Sequence, residues 1–306
     1  MNARNALLEA RQIVGPGYDP GVLEPSPPAV NDGVWFADDP AAAGRLDWRE
    51  WVKKHPADQG WAADRWLAAY RRLGPMPPTL PATRLDLHRL AVYVVSPARQ
   101  RSNGKMALRW TLGGIGTPFF GDDEQVRIAG TELIRQRGQQ AWAEPLTSLA
   151  KAAAFVLAGP PDGAWAESLD VPPLDDADDD LAVDPGAAYF LGEWYGFAWS
   201  VMEELRAEAS STEPSRVQLW PEHFDAAFDC LAPERRATFG ASPGDGSSAE
   251  PYFYVVSPGV ASIPSPLWNA TTFSGAVLSY QELLDTADQR AVALEFFRTR
   301  RDLLAG

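Results

Sequence analysis

The chain has 306 residues, 45% of them apolar, and a formal net charge of −14 at pH 7; that is enough material for one large domain or two modest ones burying about three-quarters of the unfolded surface. The acidity argues against a nucleic-acid binder, which needs a basic stripe to displace counter-ions; the basic clusters Arg99/Arg101/Lys105, Arg135/Arg137 and Arg298/Arg300/Arg301 are short. No apolar run of 18 residues is present, the first residues lack a signal-peptide core, and the single cysteine, Cys230, cannot form an internal disulfide, so the expectation is a cytoplasmic protein without a membrane span.

In chain order, residues 1–14 read as a short helix and the Pro- and Gly-rich residues 15–33 as an extended segment. Ala62, Trp66, Tyr70 and Leu73 recur at helical spacing, and the Pro-rich stretch 75–81 ends that helix. Residues 1–80 are therefore set apart from an integrated domain over 81–306. "LAVYVVSP" (90–97) and "KMALRWTLGG" (105–114) read as strands around a Ser-Asn-Gly loop, with one or two more over 125–136. Residues 144–159 read as a helix ended by Gly159-Pro160-Pro161. An acidic loop, 170–184, leads to a helix over 185–209 that opens on Asp184-Pro185. That helix carries aromatic residues on every side, the pattern of a buried central helix. A second strand-rich stretch follows: "RVQLW", "HFDAAFDCL", "RRATFG", "PYFYVVSP" and "TFSGAVLSY", then a helix over 279–303. The expected class is α+β, with antiparallel sheets packed against helices in two β-then-helix halves, 84–160 and 215–306, around the aromatic helix.

Several stretches resemble an uncharacterised bacterial family, a domain of unknown function. Leu87-His88, Gly104-Lys105, Asp184-Pro185, Trp220, Phe224-Asp225 and Tyr252-Phe253-Tyr254 occupy the places that its layout assigns over about residues 84–305. The chain departs from it after Trp220, where Pro221-Glu222-His223 replaces small residues. The resemblance implies one integrated fold and carries no activity with it.

Gly240-Ala241-Ser242-Pro243-Gly244 fits the G-x-S-x-G pattern of a hydrolase nucleophile elbow. The elbow builds its oxyanion hole partly from the N–H of the residue after the serine, and Pro243 has none. His55, His88 and His223 all precede the serine, against the usual order, so the motif reads as a loop. In "HFDAAFDCL", Phe224, Ala226, Phe228 and Cys230 alternate with His223, Asp225, Ala227 and Asp229. His223, Asp225 and Asp229 thus share a face on which an imidazole beside carboxylates would serve as general base or one side of a metal site. The plainer expectation is a solvent-facing polar side. The acidic run 175–180 lacks the Gly and closing Glu of an EF-hand loop and reads as a solvated connector.

The glycine-rich stretch 113–125 lacks phosphate-loop signatures. Phe119, Phe120 and Asp122 there, with Asp245 and Glu250 from the later loop, are candidate ligand-binding residues; the plainer expectation is that the Phe pair packs inward. Neither a metal nor another cofactor is expected. These readings favour a binding or interaction module for a small molecule or a protein, with a hydrolase or metal-assisted enzyme on the His223/Asp225/Asp229 face as the alternative.

Overall fold

The computed structural model describes residues 72–306 except 112, 123, 138 and 139, with the backbone of an antiparallel pair, Glu24–Pro25 and Ala69–Tyr70. The helix expected over 1–14 and most of the segment 15–33 and of the helix expected over 62–73 lie outside the described residues; where the last is described it is corrected, since Ala69–Tyr70 is a strand paired with Glu24–Pro25.

The first long element corrects the sequence reading. Residues expected to form a strand and a loop form one helical rod, α1: an α-helix Leu80–Leu90, a π-helical turn Ala91–Val95 and an α-helix Ser96–Asn103. The β-branched run "VYVV" favours a strand by propensity. However, Leu80, Thr83, Leu87, Leu90 and Val94 recur every three or four residues and all are buried, so tertiary burial sets the period. Pro97 explains the π turn. A proline has no N–H for the carbonyl four residues back, and its ring crowds that carbonyl. Tyr93 O instead accepts from Asp162 N at 2.9 Å, and Val92 O from Trp165 Nε1 at 3.1 Å. The carbonyls left over by the wider turn thus hold down a neighbouring loop.

Five strands follow as a simple antiparallel meander: β1 Arg109–Thr111, β2 Gly114–Gly116, β3 Glu124–Ala129, β4 Glu132–Arg137 and β5 Gln140–Pro145. Strand β5 takes residues 144–145 from the expected helix, so α2 is shorter, Leu149–Leu157, capped by the Ser148 hydroxyl. The acidic loop then leads to α3, Pro185–Ala207, whose cap is the expected one: Asp184 Oδ1 accepts from Ala187 N at 2.9 Å.

The second meander is β6 Gln218–Trp220, β7 Asp225–Cys230, β8 Ala237–Ser242, β9 Tyr252–Val256 and β10 Gly275–Ser279. The expected last helix is two: α4 Tyr280–Leu284, with a Ser279/Glu282 capping box, and α5 Gln289–Ala305, capped by Asp288. The class is thus α+β, with two five-stranded antiparallel sheets. Leu108 and Leu219 exchange backbone hydrogen bonds of 2.8 and 2.9 Å, which joins the sheets edge to edge.

Helix α3 lies across this join. On one side, Trp110 of β1 donates from its indole to Gly192 O at 3.1 Å. On the other, Trp194 packs on Phe253 of β9 at 5.0 Å between ring centroids, and Phe253 on Phe297 of α5 at 5.3 Å. Trp194, Tyr195 and Phe197 are fully buried, each contributing roughly 1.5–3 kcal/mol of burial. One apolar core therefore runs from Leu73 to Leu304. Alternation decides which face of the second sheet is left over. Ala226, Phe228, Phe239, Phe253 and Val255 turn into this core, so Asp225, Gly240, Ser242, Tyr252 and Tyr254 face the other way.

Candidate functional site

That outer face is the floor of a cleft of about 900 Å³. Asp225, Ser242, Tyr252, Tyr254 and Val256 lie along it. One wall is a stripe of α1, Pro81, Arg84, Leu85 and His88, spaced i, i+3, i+4, i+7 as one helical face requires. Asp170–Pro173, the turn before β7 and the loop after β8 complete it.

The turn before β7 carries local strain. Phe224 has φ +56°, a left-handed conformation that a bulky residue rarely adopts. Four contacts hold it there. Its N–H donates to Trp220 O at 2.7 Å, its carbonyl accepts from the Tyr195 hydroxyl, and its ring stacks on His88 at 4.8 Å with 8° between planes and meets Tyr195 edge-on at 5.9 Å. His88 Nε2 donates to Pro221 O at 2.8 Å, so its N–H is spent on the turn. Burial drives its pKa down to about 4, with Arg84 and His223 adding to the fall against the Pro221 and Glu222 carbonyls. His88 is therefore a neutral ring at pH 7.

Asp225 follows directly and is 8% exposed. Its Oδ2 accepts from the Tyr254 hydroxyl, while its Oδ1 is shut from water without a hydrogen-bond partner. Burial raises its pKa to about 6, against the lowering effect of the Tyr254 bond and of His223. The expectation of a wet polar face is thus corrected at Asp225. It fails because α1 and the 170–173 segment cover this end of the sheet.

Tyr254 reaches Asp225 from two strands away, with its ring lying across Gly240 of β8. A Cβ at Gly240 would overlap that ring at Cζ, Cε1 and the hydroxyl. The glycine of the apparent elbow motif is therefore the gap through which Tyr254 crosses. Ser242 is 5% exposed, ends β8 and accepts from Gly244 N at 3.2 Å, with a loop and no helix after it, as the turn reading expects. Gly244 has φ +96°, and Arg84 beside it donates from Nη1 to Pro243 O and Ala249 O, both at 3.1 Å. Arg84 thus pins the loop whose Asp245 accepts from Ser247 N, Ser248 N and the Tyr252 hydroxyl at 2.7, 3.0 and 2.5 Å.

Of the residues singled out from sequence, His223, Asp225 and Asp245 come together in the cleft. His223 sits on the exposed turn before the strand, which begins at Asp225, so the expected shared strand face does not include it. Asp229 lies further along β7 and accepts from Thr238 Oγ1 at 2.7 Å, with Arg236 Nε at 4.0 Å. Glu250 lines an adjoining pocket. Phe119 and Phe120 are buried, and Asp122 pairs with Arg137 at 2.9 Å on the surface; none of the three lines the cleft.

Arg84, His88, Tyr195, Tyr252 and Tyr254 were not among the candidate site residues; His88, Tyr252 and Tyr254 had no site role in the sequence reading. For the tyrosines a signal exists, since "YFYVV" puts 252, 254 and 256 on one face. For Arg84 and His88 it is hidden, because no helix is expected there and the residues that follow, 90–97, read as a strand. Four carboxylates, Asp170, Glu222, Asp225 and Asp245, face one guanidinium, Arg84, so the cleft is acidic. Among the described residues, no group of three or more His, Cys, Asp or Glu is arranged to hold a metal ion. No helix among them is long and apolar enough to cross a membrane. No family model, curated protein or solved structure matches the chain.

Proposed function

We propose that the chain is a binding module without catalysis whose cleft takes an organic cation, an amine on an apolar or aromatic body. One observation carries the reading: Asp225 is a buried carboxyl with one oxygen unpartnered, in the floor of a large cleft. A buried acceptor left open costs about 1–3 kcal/mol, and a ligand's donor removes that cost once the carboxyl turns Oδ1 out to the cleft. An ammonium group also offsets the excess of carboxylates, while the Tyr252, Tyr254 and Phe273 rings offer faces to the carbon skeleton.

The same acidity, with a net charge of −14, speaks against nucleic acid as the partner. Cys230 is buried, its thiol pushed up to about 12 by burial, and so inert; a chain working without disulfides suits a cytoplasmic location. The layout shared with the uncharacterised bacterial family belongs to this proposal and adds no activity to it.

Calorimetric titration with benzylamine at pH 7.5 tests the reading. Wild type is expected to bind it, and Asp225→Asn, which keeps an acceptor for Tyr254, is expected to bind about 10–100-fold more weakly, the worth of a hydrogen bond to a charged group. Equal binding by both proteins overturns the reading. The hydrolytic alternative rests on a different feature, the burial that raises the Asp225 pKa to about 6, where a general base is effective. Under it, Asp225→Asn abolishes turnover of a substrate while leaving its binding intact.

A further inference from the structure

A second pocket, of about 340 Å³, lies beside the cleft at the edge of the second sheet, and Tyr252 and Phe273 line both. Its chemistry differs from that of the cleft. The lining holds no Lys, Arg or His, and its polar side chains are chiefly hydroxyls and one amide. Several of these groups are already fixed. Asn269 exchanges two hydrogen bonds with the Val277 backbone, at 2.8 and 3.0 Å, and Glu282 accepts from Ser279 N and Oγ at 2.8 and 2.6 Å. The Tyr280 hydroxyl donates to Gly74 O and its ring is buried against Phe190 and Trp194, so that residue backs the pocket without offering it a face.

Ser247, Thr271 and Thr272 also line the pocket, and their hydroxyls make no hydrogen bond to any described residue. A hydroxyl is both donor and acceptor, so a set of free ones suits a ligand whose own groups are hydroxyls. Rings of Tyr252 and Phe273 beside them suit the flat C–H face of a saturated ring. An anionic ligand finds no cation here and meets Glu250 and Glu282.

We propose that this pocket is a second subsite of the cleft and binds the uncharged, hydroxyl-bearing ring of the same ligand, so that the ligand class is an amine-bearing sugar. The inference rests on the reading of Asp225 as the site of the amine. The shared rings then mark the span of the ligand, with its amino group toward Asp225 and a sugar ring over Tyr252 and Phe273.

Three probes and two variants separate this inference from the reading beneath it. The probes are a disaccharide of glucosamine β-1,4-linked to glucose (one amine, hydroxyls on both rings), cellobiose (the same rings without an amine) and benzylamine (an amine without hydroxyls). The variants are Asp225→Asn and Thr272→Trp, the second at an exposed position where a bulky ring fills the pocket without touching the core. Calorimetry on wild type is expected to rank the glucosamine disaccharide at least about tenfold tighter than either other probe, the worth of one further good hydrogen bond. Thr272→Trp is expected to cancel that advantage and leave benzylamine unchanged.

If Thr272→Trp binds the disaccharide as tightly as wild type does, or wild type binds benzylamine as tightly as the disaccharide, the second subsite is overturned while the amine site stands. If Asp225→Asn binds benzylamine as wild type does, the amine site itself is overturned. Failure of wild type to bind the disaccharide at all overturns the assignment of ligand class.

Discussion

Replacing Gly240 by alanine tests the geometry on which the site is built. A methyl there would occupy the space of the Tyr254 ring, whose hydroxyl donates to Asp225 Oδ2. The strand cannot move away, because β8 is paired on both sides, to β7 and β9. The ring must therefore lift, and the buried carboxyl loses its hydroxyl partner. A lost hydrogen bond to a charged group costs about 1.5–3 kcal/mol, and forcing a methyl into a packed position costs about 1–3 kcal/mol. The expected loss for Gly240→Ala is therefore about 2.5–6 kcal/mol.

Tyr254→Phe, which removes only the hydroxyl, should lose about 1.5–3 kcal/mol. Tyr254→Ala removes the ring altogether, so adding Gly240→Ala to it should cost almost nothing. Urea denaturation of the four proteins of that cycle measures the coupling, expected to exceed about 2 kcal/mol. Additive losses would refute the crossing of Tyr254 over Gly240 and with it the account of Asp225.

Three further outcomes follow from the same contacts. A carboxyl raised from 3.8 to about 6 contributes stability below pH 3.8 that is lost as the pH rises through 6; Asp225→Asn should therefore be more stable than wild type by about 3 kcal/mol at pH 7 and equal to it near pH 4, read from urea midpoints at both pH values. His88 has the opposite sign: a ring lowered from 6.5 to about 4 contributes stability above pH 6.5 that is lost as the pH falls toward 4. In wild type the two trends offset each other, so Asp225→Asn should lose about 3 kcal/mol between pH 7 and pH 4 where wild type loses much less. Far from the cleft, Glu204 of α3 lies 2.5 Å from Arg290 and 2.9 Å from Arg298 of α5, with Arg290 only 4% exposed. Glu204→Gln removes the carboxylate that Arg290 and Arg298 share and should cost about 3 kcal/mol in the same assay, without change in ligand binding.

Much of the fold is legible in the sequence where one local signal points the same way as the tertiary structure. Asp184-Pro185 marks the start of α3, the aromatics all round that helix mark its burial, and the two-residue period of "FDAAFDC" marks β7 and its core face. The reading fails where the signals conflict. Residues 91–95 are β-branched or aromatic apart from Ala91, yet every one is buried in a helix whose period is set by its neighbours. The same conflict hid half of the site, because Arg84 and His88 share a face only once their segment is a helix.

Asp225 itself was legible as a candidate, but not its burial. Alternation tells which side of a strand a residue takes and says nothing of what covers that side. Here the cover comes from α1, more than a hundred residues earlier. Gly240 shows the converse case, a motif legible in sequence whose meaning is structural: its missing side chain admits a tyrosine from the next strand.

The most direct test of the central claim is a carbon-13 NMR titration of the Asp225 side-chain carboxyl, assigned by its absence in Asp225→Asn, with and without saturating benzylamine. The account predicts titration near pH 6 in the free protein, falling to the ordinary aspartate range or below once an ammonium group donates to the carboxylate. An Asp225 that already titrates near pH 4 when free, or whose midpoint the amine leaves unmoved, would contradict it.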